Sequence, residues 1–188
     1  MSQSILLFGD SLSAAYGIPR EDSWPHLLRQ RMQADYPAYG VVNLSLSGET
    51  TEGGLQRLPD ALQRYQPKIV VLELGANDGL RGFNLDITTN NLRQMITLAQ
   101  QAGAKVLVLG VRLPLNYGPV YRKKFEQMYL DVATEASVAL VDYFLEGVAE
   151  HRDLMQADGI HPSVAAQPRM LCNMWAGLKA LLLGNSEQ

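Results

Sequence analysis

Cysteine is nearly absent: Cys172 is the only one in 188 residues, which excludes an intrachain disulfide and any multi-cysteine zinc site. It leaves the redox compartment open, and Cys172 itself is expected to be a small apolar residue of a helix. Histidine is scarce too. The three present, His26, His151 and His161, share no metal-ligand spacing of the His-x-x-x-His kind, so neither a metal nor a metal cofactor is expected. No apolar run is long enough to span a bilayer, and Met1-Ser2-Gln3 is too short to be a secretion signal ahead of the first apolar segment. Basic charge is sparse as well. The net charge is −3, and the longest basic cluster, Arg122-Lys123-Lys124, sits between Tyr121 and Phe125 and reads as a solvated helix face. Nucleic acid is therefore a poor partner.

What the chain does have is apolar residues, 47% of the total against 19% charged, enough for one globular domain over 1–188 with a full core. Short β-rich apolar runs at 4–9, 41–46, 69–74, 105–110 and 139–141 alternate with helical stretches at 24–35, 51–65, 86–101, 117–135 and 164–183. The strand runs are nearly continuous rather than alternating, as a parallel sheet covered on both faces requires. The class is α/β. Pro67 and Gly103 are expected to stop the second and third helices, and the polar end, 184–188, is expected to fray.

In such a sheet, ligands bind at the carboxyl ends of the strands. Read together, those ends are polar and small: Gly9-Asp10-Ser11, then Ser45-Leu46-Ser47-Gly48-Glu49-Thr50, then Gly75-Ala76-Asn77-Asp78-Gly79. Near the far end of the chain stands Asp158-Gly159-Ile160-His161-Pro162. A serine hydroxyl needs an imidazole to take its proton and a carboxylate to orient that imidazole, so Ser11, His161 and Asp158 form a candidate catalytic set. Donors for a developing oxyanion are available in the N–H of Ser11, the N–H of Gly48, which has no Cβ in the way, and the side-chain amide of Asn77. Each fragment alone has a plainer reading as turn chemistry. Their conjunction at one edge points to acyl transfer. Of the other histidines, His26 beside Trp24-Pro25 reads as packed at a helix start and His151 as surface.

The four segments resemble the four sequence blocks of the SGNH, or GDSL, hydrolase family. Further stretches, Leu58-Pro59, Asn77-Asp78-Gly79-Leu80-Arg81-Gly82, Arg112-Leu113-Pro114-Leu115-Asn116-Tyr117-Gly118 and Ala166-Gln167-Pro168, are similar to its bacterial thioesterase I/lysophospholipase L1/arylesterase branch. The resemblance implies a flavodoxin-like three-layer α/β/α sandwich with a five-stranded parallel sheet. It implies a Ser11-His161-Asp158 triad with no cofactor, an oxyanion hole from Ser11, Gly48 and Asn77, and acyl contacts from the loop near 113–121. Ala76 departs from the glycine often found there in relatives, which bears on pocket width. It also implies a periplasmic or secreted enzyme whose signal this chain does not carry; if Met1 is the native start, the protein is cytoplasmic.

The resulting expectation is a serine esterase, a monomer, acting on small acyl or aryl esters and thioesters, lysophospholipids among them. Leu113, Pro114, Leu115, Tyr117 and Ile160 are expected to contact the substrate. Asp10 and Asp78 are expected to brace Ser11 and Asn77 through hydrogen bonds to neighbouring loops. Two alternatives stand beside this reading. One is a carbohydrate acetylesterase using the same residues. The other is a non-catalytic binding module on a flavodoxin-like sheet, disfavoured because Gly75 stands where a receiver domain needs its acceptor aspartate and no lysine lies between Lys124 and Lys179.

Overall fold

Residues 5–8 and 69–72 are aliphatic or aromatic without a polar break, a pattern that suits strands buried on both faces. In the computed structural model, which describes residues 3–184, both runs lie inside a five-stranded parallel sheet and are fully buried. The strands are β1 (Gln3–Gly9), β2 (Tyr39–Asn43), β3 (Ile69–Glu73), β4 (Lys105–Leu109) and β5 (Ala139–Val141), in the order β2-β1-β3-β4-β5. That is flavodoxin-like order, and the chain reverses direction across the sheet between β1 and β3, where a crevice opens at the carboxyl edge.

The helices are α1 (Trp24–Asp35), α2 (Thr51–Tyr65), α3 (Ala76–Leu80), α4 (Leu85–Gln101), α5 (Pro119–Ala136) and α6 (Gln167–Leu183). Helices α1 and α6 cover one face, and α2, α4 and α5 the other, giving the expected three layers. Each boundary that departs from the sequence reading has a local cause. Strand β2 stops at Asn43 rather than 46, because the Asn43 side chain donates to the Ser13 carbonyl at 2.8 Å and accepts from Ser45 N–H at 3.0 Å, turning the chain off the sheet. Separate 3-10 turns, Leu115–Tyr117 and Val164–Ala166, precede α5 and α6, so both helices start later than the apolar spacing implies. Helix α3 is too short to leave a periodic trace in sequence. Helix α2 ends before Pro67 through Gln66 in the left-handed region. Residues 185–188 of the polar end lie outside the described residues.

Trp24 ties three segments together. Its indole N–H donates to the Leu12 carbonyl at 3.0 Å, its backbone N–H donates to the Gln167 side chain at 3.0 Å, and its ring meets Phe144 edge-on. The loop after β1 is thereby fastened to the starts of α1 and α6. Helix α6 buries Gln167, Met170, Met174, Leu178 and Leu182, which leaves Cys172 on the opposite face: it is exposed, not packed as the sequence suggested. Trp24→Phe should lower the unfolding free energy by about 1–3 kcal/mol by leaving the Leu12 carbonyl without its donor. Urea unfolding curves check this, and a curve superimposing on the parent's would remove the bond from the account.

Candidate active site

Beyond Gly9 the chain turns sharply. Asp10, 1% exposed, accepts the Leu12 N–H on Oδ1 at 3.0 Å, and its carbonyl accepts from Ser13 and Ala14 at 3.2 and 3.0 Å. This leaves Ser11 half-buried at the tip, facing the crevice. Residues 12–17 form successive turns rather than a regular helix. The Ser11 N–H meets no acceptor among the described residues.

Asp158 and His161 occupy one turn, as their spacing implies. Asp158 Oδ1 accepts the backbone N–H groups of Ile160 and His161 at 2.9 and 3.0 Å, and Oδ2 lies 2.6 Å from His161 Nδ1. The backbone and then the side-chain hydrogen bond of His161, followed by Ile160, pull the Asp158 carboxyl down to about 2. With a proton on Nδ1 facing Asp158, Nε2 is left as an acceptor, and it lies 3.0 Å from Ser11 Oγ. The turn is held from outside. Gln156 donates its side-chain amide to the carbonyls of Tyr16 and Pro162 and its backbone N–H to the His161 carbonyl, while the Tyr16 ring lies over the imidazole at 4.3 Å between centroids.

Asn77 sits in the first turn of α3 and sends its side-chain amide to the Glu49 carbonyl at 2.9 Å and Asp10 Oδ2 at 3.2 Å. Asp10 thus contacts both the nucleophile loop and Asn77. Asp78, next in α3, reaches across to the segment that opens α2. Its carboxylate accepts from Thr51 N–H and Oγ1 at 2.9 and 2.6 Å, gripping the positive end of α2. Gly48 has φ +80° and an N–H with no acceptor among the described residues, and its carbonyl is held by Arg81 at 3.2 Å. It stands at the rim, outside the residues that line the crevice itself.

That crevice is a cavity of about 610 Å³ running from Ser11, Asn77 and His161 past the ends of β4 and β5. Leu113, Pro114, Leu115 and Ile160 line it, joined by Ala76, Leu80, Val111, Leu145, Ala149 and Met155. Tyr117 does not. Its hydroxyl donates to the Leu80 carbonyl at 2.6 Å, so it braces the wall from behind. Arg122 is no simple surface cation: it lines the cavity and donates to the Leu113 carbonyl at 2.9 Å. At the β5 end Arg112 lies over the Tyr143 ring, and burial pushes the Tyr143 hydroxyl up beside Glu150. His26 and His151 stand apart, the first against Gln30 and the second on the surface.

Sequence reasoning missed Glu73, Tyr16, Gln156, Arg112 and Tyr143. Only Glu73 left a signal, being the one charged residue in the apolar run 69–74. It is 2% exposed, and burial followed by the Asp10 charge raises its carboxyl well above the ordinary range. Burial also raises Asp10, to about 6.

The model of the GDSL-like lipase/acylhydrolase family matches residues 7–168. The esterase TesA of Pseudomonas aeruginosa is 50% identical over 181 residues, covering 96% of this chain and 90% of the relative. Thioesterase 1/protease 1/lysophospholipase L1 of Escherichia coli K12 is 43% identical over 167 residues, 89% of this chain and 79% of the relative. A crystal structure of TesA superposes with a TM-score of 0.93 at 50% identity, covering 95% of this chain and 99% of that one. Fold and relatives together define an enzyme of the hydrolase class. Within that class, the chain belongs to the GDSL-like lipase/acylhydrolase family.

The raised Asp10 carboxyl and the lowered Asp158 carboxyl give opposite pH signatures. Asp10, raised when folded, favours the folded state most below its unfolded value near 4, and that contribution disappears as pH rises through about 6. Asp10→Asn removes this titration. Its melting temperature relative to the parent should therefore climb between pH 4 and 7, checked by thermal melts across that range; a constant offset would mean that Asp10 does not titrate there.

Proposed function

We propose that the protein is a serine esterase, one domain over 1–188, that hydrolyses carboxylic esters and thioesters of acyl or aryl groups through an acyl-enzyme. The observation that carries this is the unbroken hydrogen-bonded line Ser11–His161–Asp158 opening onto an apolar cavity. His161 Nε2 takes the Ser11 proton as Oγ adds to the carbonyl carbon, and Asp158 stabilises the imidazolium that results. The imidazolium then protonates the departing alcohol or thiol. Water, deprotonated by the same nitrogen, attacks the acyl-enzyme, releasing the acid and restoring Ser11.

The oxyanion is met by the N–H groups of Ser11 and Gly48 and by Asn77. Two of these three donors are unoccupied. Asn77 keeps its amide plane through the 2.9 Å bond to Glu49, and the longer bond to Asp10, at 3.2 Å, leaves that proton to be shared with the incoming charge. The aliphatic lining favours a hydrocarbon acyl or aryl group over a sugar acetate. The name of the Escherichia coli relative supports thioesters and lysophospholipids as the substrate class. No helix among the described residues is long and apolar enough to cross a membrane.

Labelling with a fluorophosphonate, followed by mass mapping, should place the adduct on Ser11, and Ser11→Ala should stay folded while losing most turnover on a medium-chain aryl ester. An adduct on another serine would end the reading. Asn77→Ala should lower kcat by roughly a hundred- to a thousandfold. Asp158, held at about 2, is ionised at neutral pH and should add no step of its own to turnover there; a pH-rate profile checks it.

A further inference from the structure

Glu73 is the buried acid that the mechanism leaves unused. It closes β3, directly opposite Gly9 of β1, and its Oε2 accepts from the Ser13 hydroxyl at 2.8 Å and the Asp10 N–H at 3.3 Å. Asp10 and Glu73 are 1% and 2% exposed, and the bond from the Asp10 N–H sets their carboxyl groups beside each other in a dry site. Two buried carboxyl groups this close coexist at least cost when one of them keeps its proton. Asp10 already accepts the Leu12 N–H on one oxygen and Asn77 on the other, contacts that suit the ionised form. Among the described residues no cation pairs with Glu73. The titratable groups that face this pair are Asp78 from α3, Tyr129 from α5 and His161 from the last turn. The Tyr129 hydroxyl is engaged with the Leu74 carbonyl at 3.0 Å and adds no positive charge.

We propose that Glu73 is a positioning residue of the esterase site: as the neutral acid it donates to Asp10 and so leaves the Asn77 amide free to meet the oxyanion. This rests on the esterase reading above. An Asp10 carboxylate with no second donor draws the shared Asn77 proton to itself and sets a full negative charge beside the developing oxyanion. The Glu73 proton engages that carboxylate. Its benefit exists only when the oxyanion forms, so it belongs to kcat rather than to KM.

Glutamine reproduces the neutral acid, with a carbonyl for Ser13 and Asp10 N–H and an amide N–H for the Asp10 carboxylate; leucine has similar bulk and neither group. Glu73→Gln should keep kcat on a medium-chain aryl ester within a few-fold of the parent. Glu73→Leu should lower kcat on the order of ten- to a hundredfold, up to what loss of the oxyanion donor itself costs, with KM nearly unchanged. Infrared spectra of the parent should carry a protonated-carboxyl band at neutral pH that Glu73→Gln removes. Turnover in Glu73→Gln as poor as in Glu73→Leu, full activity in Glu73→Leu, or no such band would overturn the proposal. Where Glu73→Leu fails to fold, the glutamine variant and the infrared band decide alone. Fluorophosphonate labelling of the parent separates the two levels: no adduct on Ser11 defeats the esterase reading, whereas an adduct with an unaltered Glu73→Leu defeats the role of Glu73 only.

Discussion

Gly9 stands opposite Glu73 in the ladder between β1 and β3, and that register fixes where every loop of the site lands. A slip of one residue would send Asp10 and Ser11 to opposite sides of the sheet. The position also demands glycine, since a Cβ there would lie 2.6 Å from the Glu73 carboxyl and 2.9 Å from its carbonyl oxygen. On its other side, the Gly9 carbonyl accepts from Leu46 N–H at 3.0 Å, which draws the 44–50 loop, and Gly48 with it, up beside the turn that carries Ser11. One backbone position therefore sets the mutual placement of three strand ends. Burying β1 and β3 on both faces makes that placement stiff, because any change of register would expose apolar side chains across the whole centre of the sheet.

The segment opposite is built on another principle. Asp158, Ile160 and His161 are organised by bonds within four residues, with Gly159 at φ +67° closing the turn. Such a turn keeps its own geometry wherever the chain carries it. What has to be supplied from elsewhere is its position, and Gln156 and Tyr16 supply it by linking the turn to the segment that follows Ser11. The 3.0 Å between Ser11 and His161 thus joins a rigid sheet edge to a self-contained turn through a few side-chain bonds at the surface. Mobility between the two halves of the site, where it occurs, belongs to that connection rather than to either half.

This difference explains what could be read from the chain. Strands β1, β3, β4 and β5 and the α1 and α2 spans follow from runs of like residues and from breakers such as Pro67, and they lie within a few residues of where periodicity puts them. The Asp158-His161 turn was legible because its bonds are local in sequence. Ser11, Gly48 and Asn77 were legible as strand ends of a parallel sheet, which must all emerge at one edge. Contacts between distant segments left no pattern: Gln156 with Tyr16, Trp24 with Leu12, Arg122 with Leu113. Tyr117 was misplaced for a related reason, since an aromatic near a binding loop reads alike whether it faces the cavity or, as here, supports Leu80 from behind. Glu73 was visible as a charge inside an apolar strand. Interpreting it required Asp10, and the pairing of Gly9 with Glu73 that joins them exists only in three dimensions.

The carboxyl groups around His161 show how one chemical type is divided among tasks. Asp158 accepts three donors at the protein's edge and is held at about 2, so it carries full charge wherever the imidazole works. Asp10, buried and near the same imidazole, is pushed the other way, to about 6. In the proposed reaction, a charge on either favours the imidazolium formed as Ser11 attacks. Their effects on the other half of the reaction differ. Asp158 stands behind the imidazole, away from the oxyanion donors, whereas Asp10 touches Asn77 and opposes the negative charge that Asn77 is to stabilise. An ionised Asp10 is useful to the base and harmful to the oxyanion. A neighbouring neutral acid answers both demands, because it leaves the Asp10 charge in place for His161 while spending part of that carboxylate's hydrogen-bonding capacity away from Asn77. On the proposal above Glu73 is that group, and its burial at the end of β3 raises its carboxyl well above the ordinary range.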